Sequence, residues 1–486
     1  MQKKLKMKFL GIRKMIKIIS RAWVLGAICT VLPGQIMAAP NWKFDAGAVV
    51  SESYNDNLAL TATNPKIDDF ITEINPYIGV TRKTRGLDLN AAYRLQNLIY
   101  ASEDQFNDTF HQLNGDAKAE FVKDLFFVKG AASYGQQNIN NTDKVSFTNV
   151  GAASNRTNVG TFSLNPYVQY RMGNTADMLL SYQRDIVRYG ANSIRDNDRN
   201  DYQFKLTSGK SFGRTQWQLN LRNQDIEIVN QPDTTLKDYN AQIKYKVTRI
   251  MALVGTAGYD DNEYSRLAST ERPEGSKWTV GLEWKPSTRT SVEAGVGRRY
   301  YGNSGYLRAS TKRRRTTISV DYSEDVSVAS FDQIPGSLPD TDILPPDPNP
   351  INISNPSLGG EVYINKKFSG NLSFRSAKSL LTLSVYDTRR LYQSTDDRER
   401  SYGASASLDW DFALRTKATF FANGQITNAR ASSRQDGLAT LRVGIERKLR
   451  RKLTGSINLV HYRQDSSVNA IDYEQNTATI GINWQL

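Results

Sequence analysis

The sequence "TIGINWQL" (Thr479–Leu486) decides the fold, because it alternates apolar and polar side chains up to the last residue of the chain. On a β-strand, one face would carry Ile480, Ile482, Trp484 and Leu486. The chain as a whole is hydrophilic, with a mean hydropathy of -0.53. Such a strand fits a boundary between two solvents, and a membrane barrel supplies them, with lipid outside and water inside.

The spacing of this last strand resembles the carboxy-terminal insertion signal of bacterial outer-membrane barrels. The residues that carry the resemblance are Thr479, Gly481, Trp484 and Leu486. Leu486 stands where those signals more often end in phenylalanine. The resemblance implies recognition by the barrel assembly machinery and insertion among outer-membrane lipids.

The first residues have the pattern of a secretory signal peptide. Met1 to Arg21 holds eight Lys/Arg and no acid, Ala22 to Leu32 is apolar, and Ala38-Ala39 offers a cleavage point. We therefore expect residues 1–39 to be removed, and Cys29, the only cysteine, to leave with them. Eight of the +14 formal charges also leave, so that about +6 remains, and export together with this dilution argues against nucleic acid as a partner.

From residue 40 to residue 486, segments of about ten to fourteen residues alternate with period two between polar stretches. In Lys277–Lys285 the odd positions are polar and the even ones apolar, and Ser401–Phe412 shows the same division. No apolar run of about 20 residues interrupts the pattern. The sequence predicts an all-β fold, a transmembrane antiparallel β-barrel of about 20–22 strands.

The connections between these segments alternate between tight and long, as Thr81–Gly86 and Gln136–Thr157 illustrate. Outer-membrane barrels have short periplasmic turns and long external loops, whereas a soluble β-sandwich, the alternative fold, has no reason for this asymmetry. An even strand number places both termini in the periplasm. The expected location is the outer membrane of a Gram-negative bacterium.

A proline-rich segment, residues 334–360, interrupts the strand pattern with seven of the 15 prolines of the chain. Proline removes a ladder hydrogen bond, so this segment is expected to be a loop. One interpretation is a stiff, solvated external loop; the other is a cap or a loop folded into the pore. Two further prolines, in "INPYIGV" (Ile74–Val80) and "LNPYVQY" (Leu164–Tyr170), lie inside predicted strands and predict β-bulges.

Strand parity assigns a set of charged residues to the barrel interior, where they would line the pore. These residues are Arg94, Lys118, Lys205, Arg222, Lys244, Lys277, Glu283, Arg299, Asp409 and Arg442. Their mixed signs predict only a weak anion preference. The denser "KRRR" (Lys312–Arg315) is expected near the outer rim, either solvated or in contact with lipid phosphate or a polyanion.

Catalysis by a serine or an activated water usually needs a histidine base, and the chain has two histidines. His111 and His461 both share parity with apolar residues, so both should point outward near the external rim. The sequence therefore predicts no enzyme, no cofactor and no metal site. The Asp/Asn-rich stretch after the first strand could bind calcium or form a polar external loop, and we expect the loop.

That stretch, "SESYNDNLAL" (Ser51–Leu60), carries a second resemblance, since it is followed by serial alternating strands with "INPYIGV". The chain resembles the outer-membrane β-barrel family associated with PEP-CTERM/exosortase systems, which is similar in turn to barrels of capsule and exopolysaccharide loci. The resemblance implies a channel or scaffold that accompanies exopolysaccharide production or surface-protein sorting. It supplies no catalytic residues.

Two functions follow as expectations. The first is a channel through which polar solutes or exopolysaccharide pass, with exopolysaccharide or its export proteins as partners. The second is a barrel with a blocked lumen whose external loops bind surface polysaccharide or a protein.

Overall fold

The structure is a computed structural model that describes residues 41–63, 65–151, 154–267, 272–333, 357–429 and 433–486. The predicted signal peptide, residues 1–39, lies outside the described residues. Among the described residues, none of the helices has the length and hydropathy to cross a bilayer.

The alternation of apolar and polar residues produces strands throughout the described chain. Three short 3-10 turns lie at Asp104–Phe106, Ala329–Gln333 and Asn469–Ile471. The first eleven strands are β1 (Trp42–Asn55), β2 (Asp69–Lys83), β3 (Leu87–Tyr100), β4 (Asp108–Val122), β5 (Phe126–Asn138), β6 (Arg156–Met172), β7 (Ala176–Tyr189), β8 (Asn197–Ser208), β9 (Thr215–Ile228), β10 (Thr234–Lys246) and β11 (Met251–Glu263). The others are β12 (Glu274–Ser287), β13 (Thr290–Arg299), β14 (Gly302–Lys312), β15 (Thr316–Val328), β16 (Val362–Arg375), β17 (Ser379–Tyr392), β18 (Arg398–Ala413), β19 (Thr416–Ala429), β20 (Arg434–Arg450), β21 (Leu453–Ser466) and β22 (Tyr473–Gln485).

These 22 strands form one closed antiparallel ring, because each pairs with the next and β1 pairs with β22. The closing ladder runs from Gly47 opposite Gln485 to Asn55 opposite Thr477. It gives the last strand a hydrogen-bonded partner on each side, so the ring has no free edge. The predicted all-β barrel is confirmed, with the upper strand number of the expected range.

The outer surface of the ring is apolar. On β12, Val280 is 58% exposed, and on β22, Ile480 is 60% exposed, while the alternate positions of both strands are polar. Exposed hydrophobic side chains on so many strands would be costly in water, whereas in lipid they are the favourable surface. The protein is therefore an outer-membrane β-barrel.

The two ends of the barrel differ in their connections. One end has ten turns of two to six residues together with the start of β1 and the end of β22, and the other end has the long loops and the two-residue connection between β13 and β14. The short-turn end is the periplasmic end. "KRRR" (Lys312–Arg315) spans the end of β14 and its turn into β15, so its predicted position near the outer rim is wrong. The error came from assigning this connection to the wrong end of the barrel.

Neither internal proline produces a bulge. The β2–β3 register is the same before and after Pro76, and the β6–β7 register is the same around Pro166. Asparagine compensates instead: Asn165 Nδ2 donates to the carbonyl oxygen of Tyr182, which lies opposite Pro166 (3.1 Å). The predicted bulges are therefore wrong, because the preceding asparagine bridges the interrupted ladder without an extra residue.

The wall is incomplete at one place near the external end. The β14–β15 ladder ends at Leu307 opposite Tyr322, whereas β15 continues to pair with β16 up to Val328 opposite Val362. The part of the β15–β16 hairpin beyond Tyr322 therefore has no strand paired with it on the β14 side. Because it is not paired with β14, this part of the hairpin bends into the barrel, and its residues pack in the lumen.

Candidate functional site: the lumen and its constriction

Half of the predicted pore-lining residues take part in ion pairs on the inward face of β8 to β13. Lys277 Nζ contacts Asp260 Oδ1 (2.8 Å) and also Asp238, and Arg299 Nε donates to Asp260 Oδ2 (3.0 Å). The network therefore joins four neighbouring strands, β10 to β13. Side chains from next-but-one strands converge only on the concave side of the ring, which supports the inward assignment.

Separate ion pairs lie on both sides of this network. Lys244 Nζ contacts Glu283 Oε1 (2.9 Å) and Glu293 Oε2 (3.5 Å). Arg222 donates to Asp201 through Nε (3.0 Å). Further along the ring, Arg199 Nε donates to Asp185 Oδ2 (2.8 Å), a carboxylate that is fully buried. The lumen wall on this side is thus lined by charges that are largely neutralised in pairs.

The other predicted pore-lining residues lie outside this network. Arg94 Nε donates to Gln112 Oε1 (2.8 Å), and Lys118 Nζ lies 5.1 Å from the centroid of the Phe127 ring. Asp409 contacts Lys417 (3.3 Å). Lys205 lies opposite Asn220, and Arg442 lies opposite Phe421. All ten positions share the inward face of their strands, and their part in solute passage stays a prediction.

The two histidines lie on the outward face, as expected. Tyr93 Oη is hydrogen-bonded to His111 Nδ1 (2.6 Å), and His461 Nδ1 is hydrogen-bonded to Asn476 Oδ1 (2.8 Å). Neither histidine therefore faces the lumen. Among the described residues, no cluster of three or more His, Cys, Asp or Glu side chains could hold a metal ion.

The loop between β5 and β6, residues 139–155, turns into the lumen and reaches β21, six strands away around the ring. The Phe147 ring stacks on Tyr462 of β21, with centroids 4.5 Å apart and planes 13° apart. The Val145 N–H donates to Gln464 Oε1 (2.9 Å), and Gln464 Nε2 donates back to the carbonyl oxygen of Asp143 (3.0 Å). We call residues 139–155 the crossing loop.

A second apolar contact fixes the other half of the crossing loop. Val150 packs with Leu58, Ile71, Leu98 and Tyr100 in a buried cluster on β1 to β3. The Gly151 N–H donates to Tyr100 Oη (2.9 Å). The loop is thus held at both ends of its path by buried apolar side chains and by backbone hydrogen bonds. The sequence predicts this loop only as a long polar connection. The apolar residues Val145 and Phe147, at alternate positions within it, were the available indication that part of the loop is buried.

The leaning β15–β16 hairpin fills the lumen from the other side. Val328, Phe331 and Val362 pack against buried residues of β6 to β10, among them Val187 and Ile226. The Arg199 guanidinium lies 4.4 Å from the centroid of the Phe331 ring. Burial also raises the pKa of the phenol of Tyr264, a member of the same cluster in the loop after β11.

The crossing loop and the hairpin meet. The Leu358 N–H donates to the carbonyl oxygen of Ile139 (2.8 Å). Both ends of the predicted proline-rich loop are therefore turned inward, at Ala329–Gln333 before it and Leu358 within it. Residues 334–356, where the solvated and pore-folded interpretations differ, lie outside the described residues. The described part constricts the external end of the lumen.

The stretch Ser51–Leu60 joins this constriction. Asn57, Leu58 and Leu60 are buried. Asp56 accepts two hydrogen bonds from Asn476, one from the backbone N–H and one from Nδ2, both at 2.7 Å. Residues 56–60 belong to an external connection, as expected, but they are not a solvated loop, because they fold inward over the β1–β22 seam.

The predicted insertion signal lies at the seam. Trp484 and Leu486 are exposed on the outer surface, and the Leu486 N–H donates to the carbonyl oxygen of Ala46 (2.7 Å). Thr479 and Gly481 face the lumen, and Thr479 Oγ1 is hydrogen-bonded to Ser53 Oγ (2.8 Å). Its recognition by the assembly machinery stays a prediction.

Comparison with known proteins finds distant structural similarity. No protein-family model and no curated protein matches the chain. Among solved structures it is similar to the siderophore receptor PirA from Pseudomonas aeruginosa, at 9% identity and a TM-score of 0.45, over 91% of this chain and 80% of that chain. It is also similar to the FrpB iron transporter from Neisseria meningitidis, at 10% identity and a TM-score of 0.49, over 92% and 82%. TM-scores below 0.5 carry no argument about function.

Proposed function

We propose that this protein is an outer-membrane channel for polar solutes or exopolysaccharide, with a constriction at its external end. The observation that carries the proposal is the polar, ion-paired inner wall of a 22-stranded ring. A ring of this size encloses more space than the side chains of its own wall fill, so only additional chain can narrow its lumen. The crossing loop and the β15–β16 hairpin supply such chain at one end.

Paired charges suit a passage whose wall holds neither cations nor anions tightly. A wall of unpaired cations would hold anions tightly, whereas a neutralised wall offers hydrogen bonds without a deep electrostatic well. Conduction requires this balance, because a solute that binds too strongly does not leave.

Planar bilayers test the proposal. Ile139 N–H donates to the carbonyl oxygen of Asn155 (3.0 Å), so residues 140–154 can be replaced by a short turn without separating β5 from β6. We expect small or rare conductance steps from the native protein and large, steady steps from the replacement. Deletion of residues 334–356, which keeps the packed flanks, is the matched second variant. A folded, inserted barrel that stays silent in both variants would refute the channel.

A specific observation favours the second candidate, a non-conducting scaffold. The inward segments are held by buried apolar side chains, including Val145, Phe147 and Phe331, rather than by exposed polar contacts. Buried apolar packing of this kind makes opening costly. In that case the external loops would bind surface polysaccharide or a protein, and the bilayer experiment separates the two functions.

The link to a PEP-CTERM/exosortase or exopolysaccharide system is also a proposal, supported by the motif Ser51–Leu60. Deletion of the gene in its host should lower the amount of surface polysaccharide or of sorted surface protein, without changing general uptake of small nutrients. Unchanged surface material in the deletion strain would remove this part of the proposal.

A further inference from the structure

The charges of the connections are divided between the two ends of the barrel. The ten short turns contain thirteen Lys/Arg and one acid, Asp124. The thirteen cations are Arg85, Lys123, Lys210, Arg214, Arg249, Arg289, Arg313, Arg314, Arg315, Lys378, Arg415, Arg451 and Lys452. By sequence, the long connections at the other end contain six Lys/Arg and sixteen Asp/Glu. The periplasmic end is therefore strongly basic and the external end acidic.

The cations are densest where two turns adjoin, those from β12 to β13 and from β14 to β15. These turns line a cavity of about 770 Å³. Five cations contribute to its lining, namely Lys285, Arg289, Lys312, Arg313 and Arg314, and the lining holds no carboxylate. We call these five residues the basic mouth.

The basic mouth opens to the lumen. Lys285 shares a strand face with Glu283, and Ser291, which also lines the cavity, shares one with Glu293. Both of these glutamates contact Lys244 on the inner wall. Ser291 Oγ is hydrogen-bonded to Ser310 Oγ (3.1 Å), and both serines line the cavity. The cavity is thus part of the inner wall at the periplasmic entrance, not of the lipid-facing surface.

The basic mouth is only partly neutralised from within the protein. Lys285 contacts Glu283 (2.6 Å). Among the described residues, the side chains of the other four have no ion pair. Close like charges repel one another, and an anion that enters the cavity removes that repulsion while it gains attraction to each cation. The exposed position of the turns keeps the cavity accessible from the periplasm.

Neighbouring turns are joined by backbone hydrogen bonds, so the cations follow the rim. The Lys312 N–H donates to the carbonyl oxygen of Arg289 (2.8 Å), and the Arg375 N–H donates to that of Arg315 (2.7 Å). On the other side, the Lys285 N–H donates to the carbonyl oxygen of Ile250 (2.7 Å). A repeating anionic chain could therefore contact several turns in succession, whereas a small anion would contact one.

We propose that the basic mouth is a capture site for an acidic polysaccharide that enters the lumen from the periplasm. The inference rests on the proposed function and adds its substrate class, a saccharide chain with carboxylate or other anionic groups. Attraction at the entrance and the acidic external end together favour one direction. An anionic chain is drawn in where the potential is positive and is repelled from the external loops once it has passed.

The test measures binding without requiring an open lumen. Calorimetry of the purified barrel in detergent uses polygalacturonate as the anionic probe and dextran as the neutral one. The test variant combines Arg289→Gln, Lys312→Gln, Arg313→Gln and Arg314→Gln. The matched control removes four cations from distant turns, through Lys123→Gln, Lys210→Gln, Arg451→Gln and Lys452→Gln.

We expect polygalacturonate to bind the native barrel and dextran not to bind. The test variant should lose at least about tenfold in affinity, the control variant much less, and added salt should weaken the native affinity. Equal affinity in the two variants, or no binding to the native barrel, would overturn the proposal. The proposal would also be overturned if the test variant still bound polygalacturonate but no longer co-purified with anionic phospholipid. The site would then be a lipid site. A barrel silent in bilayers that still binds polygalacturonate would refute the channel and leave the capture site standing.

Discussion

The phenol of Tyr77, on β2, lies across Gly47 of β1 and donates a hydrogen bond to Asn483 Oδ1 on β22 (3.1 Å). One side chain thus spans the three strands at which the ring closes. A Cβ atom on Gly47 would lie 2.4 Å from Tyr77 Oη and 2.2 Å from the carbonyl oxygen of Trp484. Glycine is required there because the phenol and a neighbouring backbone occupy the space of any side chain.

Gly47→Ala should therefore weaken the closing seam, by about 1–3 kcal/mol from overpacking. Gly255→Ala is the matched control, since Gly255 also lies within a strand and a Cβ there meets no atom within 4 Å. Heat-modifiable gel mobility of outer-membrane fractions measures the folded fraction. The steric explanation fails if both variants fold to the same extent.

Asp260→Asn tests the lumen network. The Asp260 side chain is 1% exposed and contacts both Lys277 and Arg299, so its neutralisation leaves two largely buried cations with Asp238 as their shared acid. Loss of one partner from a buried pair costs about 3–5 kcal/mol. Urea unfolding in detergent, followed by intrinsic fluorescence, gives the change in the free energy of unfolding.

The control for this substitution is Asp177→Asn at the periplasmic rim. Asp177 contacts Arg171 in an exposed pair, with side-chain exposures of 42% and 67%. Exposed pairs contribute about 0–1 kcal/mol, so the control should unfold nearly as the native barrel does. Similar losses in the two variants would mean that the lumen network is solvated and weak.

Leu282→Arg tests which face of β12 meets lipid. An arginine near the bilayer midplane costs about 2–4 kcal/mol, and a substitution on the lumen face avoids that cost. Thr256→Arg on β11 is the lumen control. Gly281, which precedes Leu282 on the lumen face of β12, is unsuitable as a control, because a Cβ there would lie 2.5 Å from Tyr306 Oη. Greater loss of folded protein from Thr256→Arg than from Leu282→Arg would reverse the face assignment.

The barrel could be predicted from sequence because its cause is local. Each strand must present apolar residues to lipid and polar residues to the lumen, and this requirement repeats at period two from Trp42 to Gln485. The ion pairs were partly accessible in the same way: parity placed Lys277 and Arg299 inward. It did not give their partner Asp260, because pairing across strands depends on register.

The constriction could not be predicted in this way. Phe147 and Tyr462 are 315 residues apart in the chain, and no local pattern specifies that one stacks on the other. The misplaced KRRR segment has a different cause. The connection between β13 and β14 is external but consists of two residues, Tyr300 and Tyr301. Because it is as short as a periplasmic turn, loop length does not reveal to which end of the barrel this connection and the next one belong.

The contact between the crossing loop and the hairpin can be locked reversibly. The hydrogen bond from the Leu358 N–H to the Ile139 carbonyl oxygen (2.8 Å) holds the two main chains together, so positions 139 and 358 are the choice for an engineered disulfide. Cys29, the only cysteine, lies in the predicted signal peptide, so Ile139→Cys with Leu358→Cys would form the single pair in the mature barrel. We expect the oxidised double variant to conduct less than either single variant, and a reductant to restore conductance, because separation of the two segments opens the lumen. Equal conductance in the oxidised and reduced forms, with the disulfide verified by mass spectrometry, would show that this contact does not limit passage.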